Sequence, residues 1–132
     1  MTINQLIAEA LQAKEQAYAP YSKFSVGAAL RTHSQKIYTG CNIENAAYSM
    51  TCCAERVAIF KALSAGEKNF VEMAIVADTK SPISPCGACR QVMSEFFKPT
   101  VSIHLTNRDQ LVKTVTMADL LPFSFKSTDL TD

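Results

Sequence analysis

The sequence predicts an α/β fold in which helices pack on the faces of a β-sheet. Segments with helical spacing of apolar residues alternate with short apolar runs along the 132 residues, and this order is typical of such folds. Apolar residues make up 48% of the chain, which is enough for a core without disulfide bonds. No repeat, linker or shift in composition divides the sequence, so we expect a single domain over residues 1–132.

The N-terminal part predicts one helix and then a β-hairpin. Thr2 and Gln5 form a capping-box pattern, and apolar residues recur at helical spacing from there to Ala17. Pro20 marks the end of this helix. Two strands joined by a four-residue turn are predicted next, over Val26 to Thr32 and over Ile37 to Ile43.

Helices and strands alternate in the rest of the chain. Gly66 is a natural stop for the second helix, and Pro99 closes the third. The tail from Lys126 to Asp132 is polar and is expected to be loose. The predicted elements are a helix over Cys53 to Ala65, a strand over Val71 to Asp78, a helix over Cys86 to Phe97, strands over Val101 to Thr106 and Lys113 to Val115, and a helical turn over Met117 to Leu121.

Charge and cysteine content narrow the class of function. Thirteen Lys and Arg against 12 Asp and Glu give a net charge of +1 with no basic run, which argues against a nucleic-acid partner. No apolar stretch has the length of a membrane span, and the first residues lack the pattern of a signal peptide. The odd number of cysteines, five, fits metal-bound thiolates in a reducing cytoplasm better than a disulfide framework.

Two short clusters carry the strongest functional signal: Cys-Ala-Glu at residues 53–55 and Pro-Cys-Gly-Ala-Cys at residues 85–89. Each begins a predicted helix, where free N–H groups and the helix dipole stabilise thiolates. Catalytic zinc sites take three protein ligands and keep a fourth position for water. The pattern therefore predicts a zinc-activated water with Glu55 as its base, held by Cys53, Cys86 and Cys89.

The residues alone leave alternatives open at this site. Cys52 adjoins Cys53, but no glutamate follows Cys52 two residues later, so Cys53 is the preferred ligand. A four-cysteine structural zinc site that includes Cys52 would give Glu55 no role, and chance buried cysteines without metal are the third possibility. Three thiolates and a zinc ion carry net negative charge, so the Arg56 guanidinium is predicted to donate to the sulfurs; the alternative is a solvated helix arginine.

These motifs resemble those of the zinc-dependent cytidine deaminases, most closely the small homotetrameric members, whose third ligand is cysteine. The zinc-deaminase signature is a ligand, any residue and glutamate, followed by Pro-Cys-x-x-Cys. The segment from Gly40 to Tyr48 resembles the family's nucleoside-binding segment. The resemblance implies a three-layer α/β/α sandwich with a five-stranded mixed sheet and one Zn²⁺ per subunit.

The implied reaction is the hydrolytic deamination of cytidine and deoxycytidine to uridine and deoxyuridine in pyrimidine salvage. A zinc-bound hydroxide would attack the base, and Glu55 would shuttle the protons. Asn42 and Glu44 are implied to bind the ribose hydroxyls, Phe24 to stack near the pyrimidine, and backbone groups near Ala54 and Ser84 to orient the base. Without the family, Asn42 would be a strand-end cap, Glu44 a solvated acid and Phe24 a core residue.

The resemblance also implies a homotetramer with shared active sites. Tyr48 and Phe125 are expected to reach a neighbouring subunit's site, although Phe125 alone would suggest an anchor for the C-terminal tail. Phe123 departs from the family pattern, since a small residue is expected there.

Three other functions remain open. One is a deaminase for another aminated ring, such as a blasticidin-like nucleoside. A second is a polynucleotide-editing deaminase, which would need a basic strand-binding groove. A third is a non-enzymatic zinc module that binds a protein partner.

Overall fold

The structure is a computed structural model that describes residues 2–131, within which there are four α-helices and five β-strands. One-turn 3-10 helices lie at Tyr48–Met50 and Ser127–Leu130. The elements in chain order are α1 (Ile3–Lys14), β1 (Val26–Thr32), β2 (Ile37–Cys41), α2 (Ala54–Ser64), β3 (Phe70–Ala77), α3 (Gly87–Phe96), β4 (Ser102–Asn107), β5 (Val112–Thr116) and α4 (Met117–Leu120).

The strands form one mixed sheet in the order β2-β1-β3-β4-β5. β1 pairs antiparallel with both β2 and β3, β4 pairs parallel with β3, and β5 pairs antiparallel with β4. The one parallel pair needs a crossover connection, and α3 provides it. α1 covers one face of the sheet, and α2 and α3 cover the other. The predicted three-layer α/β/α sandwich with a five-stranded mixed sheet is confirmed.

The central strand β3 divides the interior into two cores. Successive side chains of a strand point to opposite faces, so Ala74 and Val76 pack with α1, whereas Met73 and Ile75 join the larger core under α2 and α3. All four are fully buried. This explains why residues 73–77 of β3 are apolar without alternation in the sequence.

Two glycines allow helices to approach the sheet closely. A Cβ at Gly27 would lie 2.0 Å from the carbonyl oxygen of Ala10, so only glycine lets β1 meet α1 at this distance. A Cβ at Gly40 would lie 2.4 Å from the carbonyl oxygen of Ala54. Gly40 therefore sets how closely the first turn of α2 lies on β2, and with it the position of Cys53.

Two predicted boundaries are wrong. α1 ends at Lys14, not near Ala17, because the buried Lys14 ammonium pairs with the Asp78 carboxylate at 2.9 Å and the chain then turns away. The second strand ends at Cys41 rather than Ile43. Ile43 instead forms isolated bridges to two other segments.

Of the remaining expectations on local structure, the N-terminal capping box and the glycine stop after α2 are confirmed. The capping box of Thr2 and Gln5 is present, and Gly66 follows α2 with a φ of +90°. The hairpin turn contains no glycine, and Gln35 adopts the left-handed conformation there with a φ of +70°. The tail expected to be loose contains the 3-10 turn Ser127–Leu130, while Asp132 lies outside the described residues. No helix among residues 2–131 has the length and apolar character needed to cross a membrane.

Gly27→Ala tests the close contact between α1 and β1. The added methyl group would meet backbone atoms that cannot move separately, so we expect the free energy of unfolding to fall by about 1–3 kcal/mol. Denaturant unfolding measures this change. Gly87→Ala is the matched control, because a Cβ there meets no atom within 4 Å. Equal stability of the two variants would contradict this account of the packing.

Candidate metal centre and cleft

The N-termini of α2 and α3 meet over the same face of the sheet. Cys53 is the N-cap residue of α2 and Cys86 is the N-cap residue of α3, and both have extended backbone conformations. An N-cap side chain lies outside the helix and can turn toward the helix axis, where the free N–H groups are. The backbone N–H of Cys89 donates to Cys86 Sγ at 3.4 Å, so this arrangement brings three sulfurs together.

The three sulfurs fit a zinc ion. Cys53, Cys86 and Cys89 place their Sγ atoms within 4.8 Å of one another, with separations of 4.0 Å for Cys53–Cys86 and 3.3 Å for Cys86–Cys89. Tetrahedral zinc with Zn–S bonds of about 2.3 Å separates its sulfurs by about 3.8 Å. In residues 2–131 the group contains no fourth His, Cys, Asp or Glu, which is the donor count of a catalytic site.

Cys52 lies apart from this group. Its backbone N–H and carbonyl pair with Ile43 at 2.9 Å in both directions, and its side chain lines a shallow apolar groove on the outer side of α2, together with Val57 and Phe60. The bridge to Ile43 fixes the residue before the N-cap, so the next side chain, Cys53, faces α3. The choice between adjacent cysteines, which spacing left open, is therefore decided by strand pairing.

Arg56 lies beside the sulfurs, in the first turn of α2. Its Nη2 donates to Cys53 Sγ and to the carbonyl oxygen of Thr51, both at 3.4 Å. Hydrogen bonds from the Cys89 thiol and from the Arg56 guanidinium hold the pKa of the Cys53 thiol well below its ordinary value. The same sharing with Cys53 raises the pKa of Cys89. The guanidinium thus opposes the negative charge that three thiolates bring to the site.

Glu55 is the carboxyl group nearest this cluster in sequence, and it is only 4% exposed. Burial, with a smaller contribution from the neighbouring Cys53 thiolate, raises the pKa of the Glu55 carboxyl from 4.5 to about 7. A carboxyl with such a pKa exchanges protons near neutral pH, which is the property that a general acid–base needs.

A cleft of about 290 Å³ is lined by Cys53, Cys86 and Glu55. Its volume is at the lower end of the range for small-molecule sites. Most of the side chains that the sequence singled out for substrate contribute to it. The lining residues are Ser22, Phe24, Val26, Asn42, Glu44, Tyr48, Thr51, Cys53, Ala54, Glu55, Ile83, Ser84 and Cys86.

Asn42 and Glu44 line the cleft, but each also holds the backbone around it. Asn42 Oδ1 accepts from the N–H of Val26 at 2.9 Å, and its Nδ2 donates to the carbonyl oxygen of Phe24 at 2.7 Å. Glu44 accepts from the N–H groups of residues 21 and 22 at 3.0 and 3.1 Å, and from the Ser22 hydroxyl. The Ser22 hydroxyl bond is the main cause of the lowered pKa of Glu44.

The aromatic residues differ in position. Phe24 is 40% exposed on the cleft wall, and Tyr48 is 60% exposed at its edge. Phe125 does not line the cleft of its own chain; it is 57% exposed, and its carbonyl oxygen accepts from Gln91 Nε2 at 3.1 Å. Phe123 is fully exposed, with a φ of +58° that a small residue would tolerate better.

Sequence reasoning missed four lining residues, Ser22, Val26, Thr51 and Ile83. Ser22 lies in the loop after α1 and reaches the cleft only because Glu44 binds that loop. Thr51 follows the 3-10 turn at Tyr48–Met50, which no pattern predicted. The one signal in the sequence that could have indicated Thr51 is its position two residues before the candidate ligand Cys53.

Comparison with known proteins agrees with this geometry. The family model described as "Cytidine and deoxycytidylate deaminase zinc-binding region" matches residues 1–105. A protein named cytidine deaminase from Sporosarcina psychrophila is 55% identical over 130 residues, covering 98% of this chain and 96% of that protein. One of the same name from Halalkalibacterium halodurans is 48% identical over 132 residues, covering 100% of each.

A solved structure extends the similarity to the whole fold. The crystal structure of cytidine deaminase from Burkholderia pseudomallei matches with a TM-score of 0.93 and 52% identity, covering 95% of this chain and 100% of that chain. The family's zinc-binding description and the sulfur cluster together assign one zinc ion to the site, bound by the cysteine group.

Substitution of single cysteines tests the ligand assignment. Cys53→Ala, Cys86→Ala and Cys89→Ala should each lose most of their zinc, because two remaining thiolates do not hold a catalytic zinc ion. Metal analysis of the purified variants by mass spectrometry measures this loss.

Cys52→Ala is the control for the adjacent cysteine, and it should retain about one zinc ion per chain. Retention of zinc by Cys53→Ala together with its loss from Cys52→Ala would contradict the assignment.

Proposed function

The chain belongs to the family of zinc-binding cytidine and deoxycytidylate deaminases, and from that premise we propose that it deaminates cytidine and deoxycytidine with Glu55 as the proton shuttle. The observation that carries the proposal is the position of Glu55, a buried carboxyl that lines the cleft beside Cys53 and Cys89. As a member of this family the chain is a zinc-dependent hydrolytic deaminase.

The reaction replaces the C4–N bond of cytosine by a C4–O bond, with water as co-substrate and ammonia as the second product. Zinc bound by the cysteine sulfurs supplies Lewis-acid activation of the water. Glu55 accepts one proton from the water and delivers it to N3, which makes C4 more electrophilic. After the water oxygen has bonded to C4, Glu55 takes the remaining proton from that oxygen and transfers it to the departing amino group. The C4–N bond then breaks, ammonia leaves, and the Glu55 carboxylate is regenerated. A buried carboxyl suits these transfers, because bulk water does not compete for its proton.

Asn42 and Glu44 are proposed to bind the ribose hydroxyls with the hydrogen-bonding capacity that the protein leaves free. A carboxylate has about four acceptor positions, of which Glu44 uses three within the chain. Asn42 uses one N–H and one lone pair, so the amide keeps a second of each. Their internal bonds fix both side chains in place before substrate arrives, which lowers the entropy lost on binding.

Phe24 is proposed to stack on the pyrimidine, with backbone groups near Ala54 and Ser84 orienting the base. Tyr48 and Phe125 are proposed to contact the cleft of a neighbouring copy, since both are more than half exposed. We propose that the chain forms a homotetramer in which subunits share active sites. The proposed role is pyrimidine salvage in the cytoplasm.

Glu55→Gln tests the proton shuttle. The amide keeps the size of the side chain but cannot carry the protons, so kcat for cytidine should fall by about 10²- to 10⁴-fold or more. The loss of absorbance as cytidine becomes uridine measures the rate, and zinc is determined on the same sample. Glu95→Gln, on an exposed position of α3, is the matched control. Near-normal turnover of Glu55→Gln with zinc bound would refute the mechanism.

Glu44→Gln tests ribose recognition. If Glu44 accepts from a ribose hydroxyl, KM for cytidine should rise by about tenfold, whereas KM for 2′,3′-dideoxycytidine should change little. A steady-state assay with both substrates gives the two ratios. Disturbance of the Ser22 loop would raise both KM values alike, so equal effects on the two nucleosides would contradict a direct bond to ribose.

A further inference from the structure

The segment between β3 and α3 forms one wall of the cleft, although its backbone makes few bonds of its own. Ile83, Ser84 and Cys86 line the cleft. Among residues 2–131, no backbone-to-backbone hydrogen bond involves residues 80–85, and the prolines at 82 and 85 lack the N–H for one. A wall of this kind depends on side chains from elsewhere to fix its position.

Arg90 supplies that connection from the first turn of α3. Its Nε donates to the carbonyl oxygen of Pro85 at 2.9 Å, and its Nη2 donates to Ser84 Oγ at 2.5 Å. Its Nη1 donates to the carbonyl oxygen of Leu120 at 2.8 Å. One rigid, planar group therefore joins the wall of the cleft to the C-terminal end of α4.

α4 is a fixed support for this group. The N–H of Met117 donates to the carbonyl oxygen of Val101 at 3.0 Å, and the N–H of Ala118 donates to that of Pro99 at 3.1 Å. Met117 and Leu120 are buried in the larger core, and a capping box closes the first turn of the helix. Because α4 is held by the core, the bonds that Arg90 makes to α4 and to the segment before α3 fix that segment relative to the core.

We propose that Arg90 is a positioning residue for nucleoside binding, which holds the Ser84–Pro85 segment where the base enters the cleft. This inference rests on the proposed function. Among the described residues that line the cleft Arg90 is not present, so it acts through the segment rather than on the substrate. The metal ligands have separate support, since Cys86 caps α3 through the N–H of Cys89, and Arg90 is therefore expected to affect substrate binding more than zinc binding.

Arg90→Ala and Arg90→Lys test this role, with Arg108→Ala as the matched control at a side chain that is 72% exposed. We expect Arg90→Ala to raise the KM for cytidine and the Kd for uridine, measured by calorimetry, by about tenfold or more. The kcat should stay within about threefold, and zinc content should match that of the unsubstituted protein. The KM and Kd of Arg90→Lys should lie between those of Arg90→Ala and those of the unsubstituted protein. An ammonium group keeps the positive charge but cannot donate to all three acceptors at once.

Methylguanidinium at millimolar concentration provides a second readout. It should lower the Kd of Arg90→Ala for uridine and leave that of Arg108→Ala unchanged, which general stabilisation would not do. If Arg90→Ala fails to fold, Arg90→Lys carries the test through its Kd alone.

Three results would overturn the inference: unchanged KM and Kd in folded Arg90 variants, a fall in kcat at constant KM, or a loss of zinc that accounts for the loss of activity. Failure of the proposed function is distinguishable, because the unsubstituted protein and Arg108→Ala would then neither convert cytidine nor bind uridine.

Discussion

The convergence of two helix N-termini over one face of the sheet is the constraint on which the site depends. Cys53 and Cys86 are N-cap residues, so their sulfurs project from the helix ends into the same space, where free N–H groups favour negative charge. The helices reach this position because Gly40 lets α2 lie directly on β2, and because α3 is the crossover between the parallel strands β3 and β4.

The site holds groups with opposite charge requirements within one turn of α2. The Cys53 sulfur accepts hydrogen bonds that favour its thiolate, among them the one from Arg56. Glu55, two residues along, is buried, and burial favours its protonated form. Arg56 thus donates to the sulfur of Cys53, whereas the Glu55 carboxyl is buried in the lining of the cleft. This division lets one helix turn support both a metal ligand and a group that exchanges protons.

The walls of the cleft are fixed by side chains that bind backbone. Asn42 bonds the start of β1, Glu44 bonds the loop that carries Ser22, and Arg90 bonds the segment before α3. Each of these side chains bonds backbone atoms in a loop or at the first residue of a strand, where such atoms would otherwise lack partners. The cleft is therefore formed before substrate binds.

The sequence by itself determined the order of the helices and strands, the α/β class and the two cysteine clusters with Glu55, because these follow from local periodicity, capping residues and ligand spacing. The five-stranded mixed sheet was implied by the family resemblance. Sequence reasoning missed the end of α1 and of the second strand, where the Lys14–Asp78 ion pair and the Ile43 bridges override local pattern. Only the tertiary structure decided between Cys52 and Cys53 and gave Arg90 its partners. The physical reason is that the element ends, the choice of ligand and the contacts of Arg90 depend on groups that are distant in sequence. The residues next to a side chain in sequence do not determine which distant groups it meets.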